Sequence, residues 1–162
     1  AAIKRERLAD DGYRAMIDCT TRLNTPGIAL GGMSGVHALT DVTGFGLLGH
    51  LLEICRASGI AARVDFSSVP KLPLALGLAR DGCVTGASGR NWTSYGSEVV
   101  LGQAIGRAER DLLTDPQTSG GLLAACTPES REAVLDVFRR EGFDDVAVIG
   151  RFEAGTAGVH VD

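Results

Sequence analysis

The sequence predicts an α+β fold, a mixed β-sheet layered with α-helices. Short runs of strand length and pattern (Val36–Thr40, Ile60–Phe66, Leu122–Cys126) are interleaved with helix-patterned runs (Phe45–Ala57, Thr127–Arg140). The interleaving is irregular, and no second β-α-β half follows the first, which disfavours a doubly wound sheet. A chain of 162 residues, 44% hydrophobic and 22% charged, suits one domain with a substantial core.

Residues 1–12 are read as a loose segment ahead of a single domain over 13–162. Apolar or small residues at Leu8, Ala15, Met16, Cys19 and Leu23 lie close to a helical stripe, which Asn24-Thr25-Pro26-Gly27 ends. Ile28–Gly35 carries no decisive pattern. Val36–Thr40 reads as a strand. Phe45–Ala57 reads as a helix with Leu48, Leu51, Leu52, Ile54 and Cys55 inward, stopped at Ser58-Gly59. Ile60–Phe66 is a second strand, Val69–Pro73 a stiff link, and Leu74–Arg80 a short helix with Pro73 near its start. Residues 82–97 are rich in Gly, Ser, Thr and Asn and predict a long loop, a feature that is commonly functional inside a compact domain. Ala108–Leu113 predicts a helical turn or two, and Leu122–Cys126 a buried strand. Thr127-Pro128-Glu129 has the form of an N-cap, a first-position proline and a first-turn acid, opening a helix to about Arg140. Val146–Ile149 and Gly158–Val161 are the last expected strands.

Net charge is −4 and aromatics are 5%, so neither a basic face nor a stacking platform for nucleic acid is expected. No apolar run is long enough to span a membrane, and no signal-peptide core follows the charged start. The four cysteines, Cys19, Cys55, Cys83 and Cys126, are scattered without a C-x-x-C pair. That pattern fits a reducing cytoplasm better than a zinc site or a disulfide scaffold. His37, His50 and His160 share no metal-ligand spacing, and no nucleophile elbow occurs. His50 and Glu53 lie along one helix face, a pairing ordinarily explained by packing.

The chemistry concentrates in Thr40-Asp41-Val42-Thr43-Gly44-Phe45-Gly46-Leu47-Leu48-Gly49-His50, a strand, a polar glycine turn and a helix start. Such a junction can hold a phosphate or its metal. Three readings stay open. Gly44, Gly46 and Gly49 match the dinucleotide fingerprint, and Asp65 closes the next strand about 20 residues on, where an acid would meet a ribose. Against this, the Asp41 carboxylate would repel a bare pyrophosphate. Alternatively Asp41 takes Mg²⁺, which is content with one or two carboxylates and fills its remaining positions with phosphate oxygens and water. Thr43 and the backbone of Gly44 to Gly46 would then face the phosphates. In the third reading Asp41 merely caps the helix. A second turn of the same grammar, Asp115-Pro116-Gln117-Thr118-Ser119-Gly120-Gly121, makes a shared anion or metal face more plausible than either turn alone. Arg90 and Asn91 are further candidates for touching an anion.

The stretch from His37 to His50 resembles the signature of the selenophosphate synthetase (selenide, water dikinase) family. So do Ala62-Arg63-Val64-Asp65, Val69–Pro73, Arg90-Asn91 with Ser94-Tyr95-Gly96, and Asp111-Leu112-Leu113 with Asp115–Gly121. The match covers the carboxyl-terminal half of that family. The resemblance implies an enzyme that makes selenophosphate from selenide and ATP, releasing AMP and phosphate, within the aminoimidazole ribonucleotide synthetase superfamily. It implies an amino-terminal ATP-binding half, absent from this chain, which carries the catalytic Cys or selenocysteine and a Lys and forms a homodimer. It also implies a carboxyl-terminal α+β layer that closes the site and supplies an Asp to Mg²⁺, here Asp41. The residues expected to face nucleotide or phosphate are Thr43, Gly44, Gly46, Asn91, Thr118, Ser119 and Gly120. No catalytic residue is expected in this chain, which by itself should be inactive. The competing functions are a Rossmann-type dinucleotide module and a stand-alone, non-catalytic anion-binding domain.

Overall fold

The computed structural model describes residues 1–162. In chain order it contains α1 (Asp10–Thr20), α2 (Pro26–Leu30), β1 (Val36–Asp41), α3 (Gly46–Ser58), β2 (Ala61–Val64), α4 (Ala75–Arg80) and α5 (Gly86–Tyr95). These are followed by β3 (Val99–Leu101), α6 (Arg107–Leu113), β4 (Leu122–Cys126), α7 (Arg131–Arg140), β5 (Gly150–Glu153) and β6 (Gly158–Val161). The expected α+β class, a mixed sheet with helices layered on it, is the one found.

Two sheets form. β1 and β4 make an antiparallel ribbon in which Asp41 stands opposite Leu122. The other four strands are ordered β3-β6-β2-β5, with β6 parallel to both β3 and β2 and β5 antiparallel to β2. The main core lies between this sheet and α3, where Leu48, Leu51, Leu52 and Cys55 meet Ala62, Val64, Val159 and Val161. Leu48 and Leu52 are fully buried, and truncating either to Ala would cost about 2–5 kcal/mol. A smaller core gathers Leu30 of α2 with Val134, Val137 and Phe138 of α7.

The β1–β4 ribbon is the wall between these cores. Alternate residues of a strand point to opposite faces. Leu123 and Ala38 accordingly join the main core, while Leu122, Ala124, Cys126 and Leu39 pack with the smaller one. The ribbon is therefore apolar on both faces, and its polar glycine turns lie at its end.

Two expectations are corrected. Residues 82–97 are not a loop: α5 occupies most of them, with Thr85 capping its start by accepting the Ser88 N–H. Val146–Ile149 makes no ladder, and the strand begins at Gly150 instead. A Cβ at Gly150 would lie 2.1 Å from the Arg63 carbonyl oxygen, so only glycine lets that backbone approach β2. Residues 1–12 hold a 3-10 turn at Ile3–Arg5 and the start of α1. They are tied to the chain by Arg5 Nη1 donating to the Gly82 carbonyl at 2.7 Å and by an Arg7–Asp81 ion pair at 2.8 Å. No helix is long and apolar enough to cross a membrane.

Candidate functional site

The pairing of β1 with β4 carries the two glycine turns to the same end of the ribbon. There they are bonded directly. The Val42 N–H donates to the Gly121 carbonyl at 2.9 Å, and the Gln117 N–H donates to the Thr43 carbonyl at 3.0 Å. Two glycines make the approach possible. A Cβ at Gly120 would sit 1.6 Å from the Val42 carbonyl oxygen. Gly46 has φ +67°, and a Cβ there would lie 2.7 Å from the Thr114 carbonyl carbon. The first is a packing requirement; the second adds a backbone conformation that favours glycine.

Helix α5 braces the pair from the side. The Ser88 hydroxyl donates to the Asp111 carbonyl at 2.7 Å and contacts Thr114 Oγ1 at 2.6 Å. Asn91 Nδ2 donates to the carbonyls of Gly44 and Thr114, both at 2.9 Å. The Tyr95 hydroxyl donates to the Phe45 carbonyl at 2.5 Å. Burial pushes the Tyr95 pKa up to about 12, so the hydroxyl stays a donor. The Thr85 hydroxyl reaches Asp115 Oδ1 at 2.9 Å, while burial raises the Asp115 pKa. Sequence reasoning missed this helix. Its signal is present in the spacing Ser88, Asn91, Trp92, Tyr95, one helical face behind a Thr85 cap. Gly86, Gly89 and the run of hydroxyl residues obscure it, because such residues are poor helix formers.

At the mouth of the paired turns, the N–H groups of Gly44, Phe45, Thr118, Ser119 and Gly120 have no protein acceptor. Thr118 and Ser119 are exposed, and so is Asp41. Asp41 enters no ion pair. The same end of the ribbon thus carries an exposed carboxylate and a set of amide and hydroxyl donors. It can hold an anion, or a cation that brings its own anion. Nowhere do three His, Cys, Asp or Glu side chains converge. A metal at Asp41 would therefore complete its shell with phosphate oxygens and water, a donor set that suits Mg²⁺.

The remaining predicted residues are engaged inside the structure. The Thr43 N–H and hydroxyl both point at His50 Nε2, at 3.0 and 3.1 Å. The Gly46 N–H donates to the Thr43 carbonyl at 3.1 Å, and the Asn91 amide nitrogen is committed as described. Arg90 is exposed on α5.

The dinucleotide reading fails on topology. β1 and β2 lie in different sheets, so no parallel β-α-β unit exists across α3. Asp65 is occupied as well. Its carboxylate accepts the hydroxyls of Ser68 and Ser67, each at 2.7 Å, and the Ser67 N–H at 2.9 Å, and these bonds lower its pKa. It caps the 3-10 turn Phe66–Ser68.

Comparison with known proteins agrees with this topology. The chain is 56% identical over 161 residues to a selenide, water dikinase of Pseudomonas straminea, covering 99% of this chain and 45% of that protein. It is 54% identical to the selenide, water dikinase of Burkholderia pseudomallei, covering 99% of this chain and 46% of that one. The chain thus spans about half the length of the curated relatives it matches. Among solved structures, the hydrogenase maturation protein HypE of E. coli superposes with a TM-score of 0.62 at 20% identity, over 85% of this chain and 34% of that one. That likeness is one of fold. The family of AIR synthase related proteins, C-terminal domain, matches residues 11–162, and the chain belongs to it.

Proposed function

We propose that this chain is the carboxyl-terminal part of a selenide, water dikinase, an enzyme that makes selenophosphate from selenide and ATP with AMP and phosphate as the other products. In this reading it closes over Mg²⁺-ATP held by an amino-terminal half of the same protein. The observation that supports the reading is the junction of the two turns, which brings the exposed Asp41, free of any ion pair, to the same end of the ribbon as the unpaired amides and the exposed Thr118 and Ser119. The relatives' name, selenide, water dikinase, at 54–56% identity, supports selenide as the substrate in this reading.

The division of labour follows from charge. Phosphoryl transfer is mostly positioning plus neutralisation of charge on the phosphate oxygens. Asp41 would hold Mg²⁺ against those oxygens, and the metal when bound would supply the positive charge. The N–H groups of Gly44, Thr118, Ser119 and Gly120 would donate to phosphate oxygens the metal leaves exposed. Thr43, Gly46 and Asn91 would set the shape of the turns. The reaction would run in the cytoplasm, in a homodimer formed through the other half, and the scattered free cysteines are compatible with a reducing compartment.

This chain holds one side of that clamp, so it should not turn over by itself. Assayed without the remainder of the protein, it is expected to produce no AMP from ATP in the presence of selenide and to bind nucleotide weakly. Mixing with the amino-terminal half should restore turnover. Robust selenide-dependent AMP formation by this chain alone would contradict the proposal.

A further inference from the structure

Thr43 is the residue on which both turns hang. Its carbonyl accepts from Gln117 of the second turn at 3.0 Å and from Gly46 of the first at 3.1 Å. Its N–H has a single partner, His50 Nε2 at 3.0 Å, with its hydroxyl 3.1 Å from the same nitrogen. A backbone amide can only donate, so Nε2 must carry its lone pair there and the ring proton must reside on Nδ1. His50 is 7% exposed, and its ring lies 5.8 Å from the Phe45 ring. Its Nδ1 has no hydrogen-bond partner, and Glu53 Oε2 lies 3.5 Å from it. A helix-face pair that sequence alone would assign to packing is therefore aimed at the turn.

We propose that His50 is a positioning residue: its neutral ring, protonated at Nδ1, fixes the Thr43 peptide and through it the relative placement of the two turns. Thr43 then shapes the site, and its hydroxyl is held on the ring instead of serving as a phosphate ligand. The turn geometry does not depend on which ligand the site takes, so the inference stands or falls separately from the dikinase reading.

Histidine labelled with ¹⁵N in the ring, introduced into the full-length protein, reports the tautomer directly, with His50→Gln identifying the resonance. An unprotonated Nε2 is expected; a protonated Nε2 in the folded protein overturns the proposal. Hydrogen exchange of the peptide containing Thr43 gives the second readout. His50→Phe should speed exchange of the Thr43 amide about tenfold, the effect of losing one hydrogen bond. His50→Gln, whose side-chain oxygen can accept the same N–H, should restore slow exchange. Unchanged Thr43 exchange in His50→Phe would equally overturn it, and if that variant fails to fold the tautomer measurement on the native protein decides.

Discussion

The three glycines of the first turn look alike in sequence and differ in what they do. Gly46 meets the Thr114 backbone at positive φ, and Gly49 faces the Phe45 and Tyr95 side chains, whereas a Cβ on Gly44 would meet nothing within 4 Å. Gly44→Ala should therefore leave thermal stability within about 1 kcal/mol of the native chain. In the full-length protein it should still raise the KM for Mg²⁺-ATP, because the added methyl would stand beside an amide proposed to face phosphate and crowd the approach of the ligand. Gly120→Ala should behave oppositely. Its Cβ would fall 1.6 Å from the Val42 carbonyl oxygen, an overlap that backbone must absorb, and the expected loss is more than about 2 kcal/mol in a denaturation experiment. Sequence identifies both positions as glycine; only the distance to a strand remote in sequence says which is structural.

At the scale of elements, α5 decides how firmly the site is built. Its hydrogen bonds to the turns come from Ser88, Asn91 and Tyr95. Ser88 is 1% exposed, so Ser88→Ala would strand the groups it satisfies and cost about 1–3 kcal/mol by chemical denaturation. Tyr95 offers a pH test. Its pKa lies at about 12 in the folded chain, above the ordinary phenol near 10. The stability it contributes is fully present below pH ~10 and is lost as pH rises through 10 towards 12. Between pH 8 and pH 11 the native protein should lose about 1 kcal/mol more stability than Tyr95→Phe, and equal losses would contradict the buried hydroxyl. Helix α3 was legible because its apolar stripe repeats at the helical period. Helix α5 was not, because partners on other elements hold it. The start of β5 was likewise hidden, since a close contact between Gly150 and β2 sets it.

In the whole molecule, the ribbon packs apolar side chains on both faces and carries the two polar turns at one end. The expectation of an α+β layer followed from local pattern. The junction of the two glycine turns did not, because it depends on the pairing of β1 with β4, some eighty residues apart. The same pairing explains why the dinucleotide fingerprint misled: the glycines match, but the strand beyond α3 belongs to another sheet. What the paired turns present is an exposed carboxylate and a set of unpaired amide donors at one end of the ribbon; under the proposal they form half of a metal-phosphate clamp with Asp41 as its metal ligand. The direct test is the Mg²⁺ dependence of selenide-dependent AMP formation in the full-length protein, native against Asp41→Asn. Because Asp41 is exposed and joins no ion pair, the substitution should leave the melting temperature unchanged. It should raise the Mg²⁺ concentration for half-maximal rate by about tenfold or more. An identical Mg²⁺ titration in the two proteins would contradict the account.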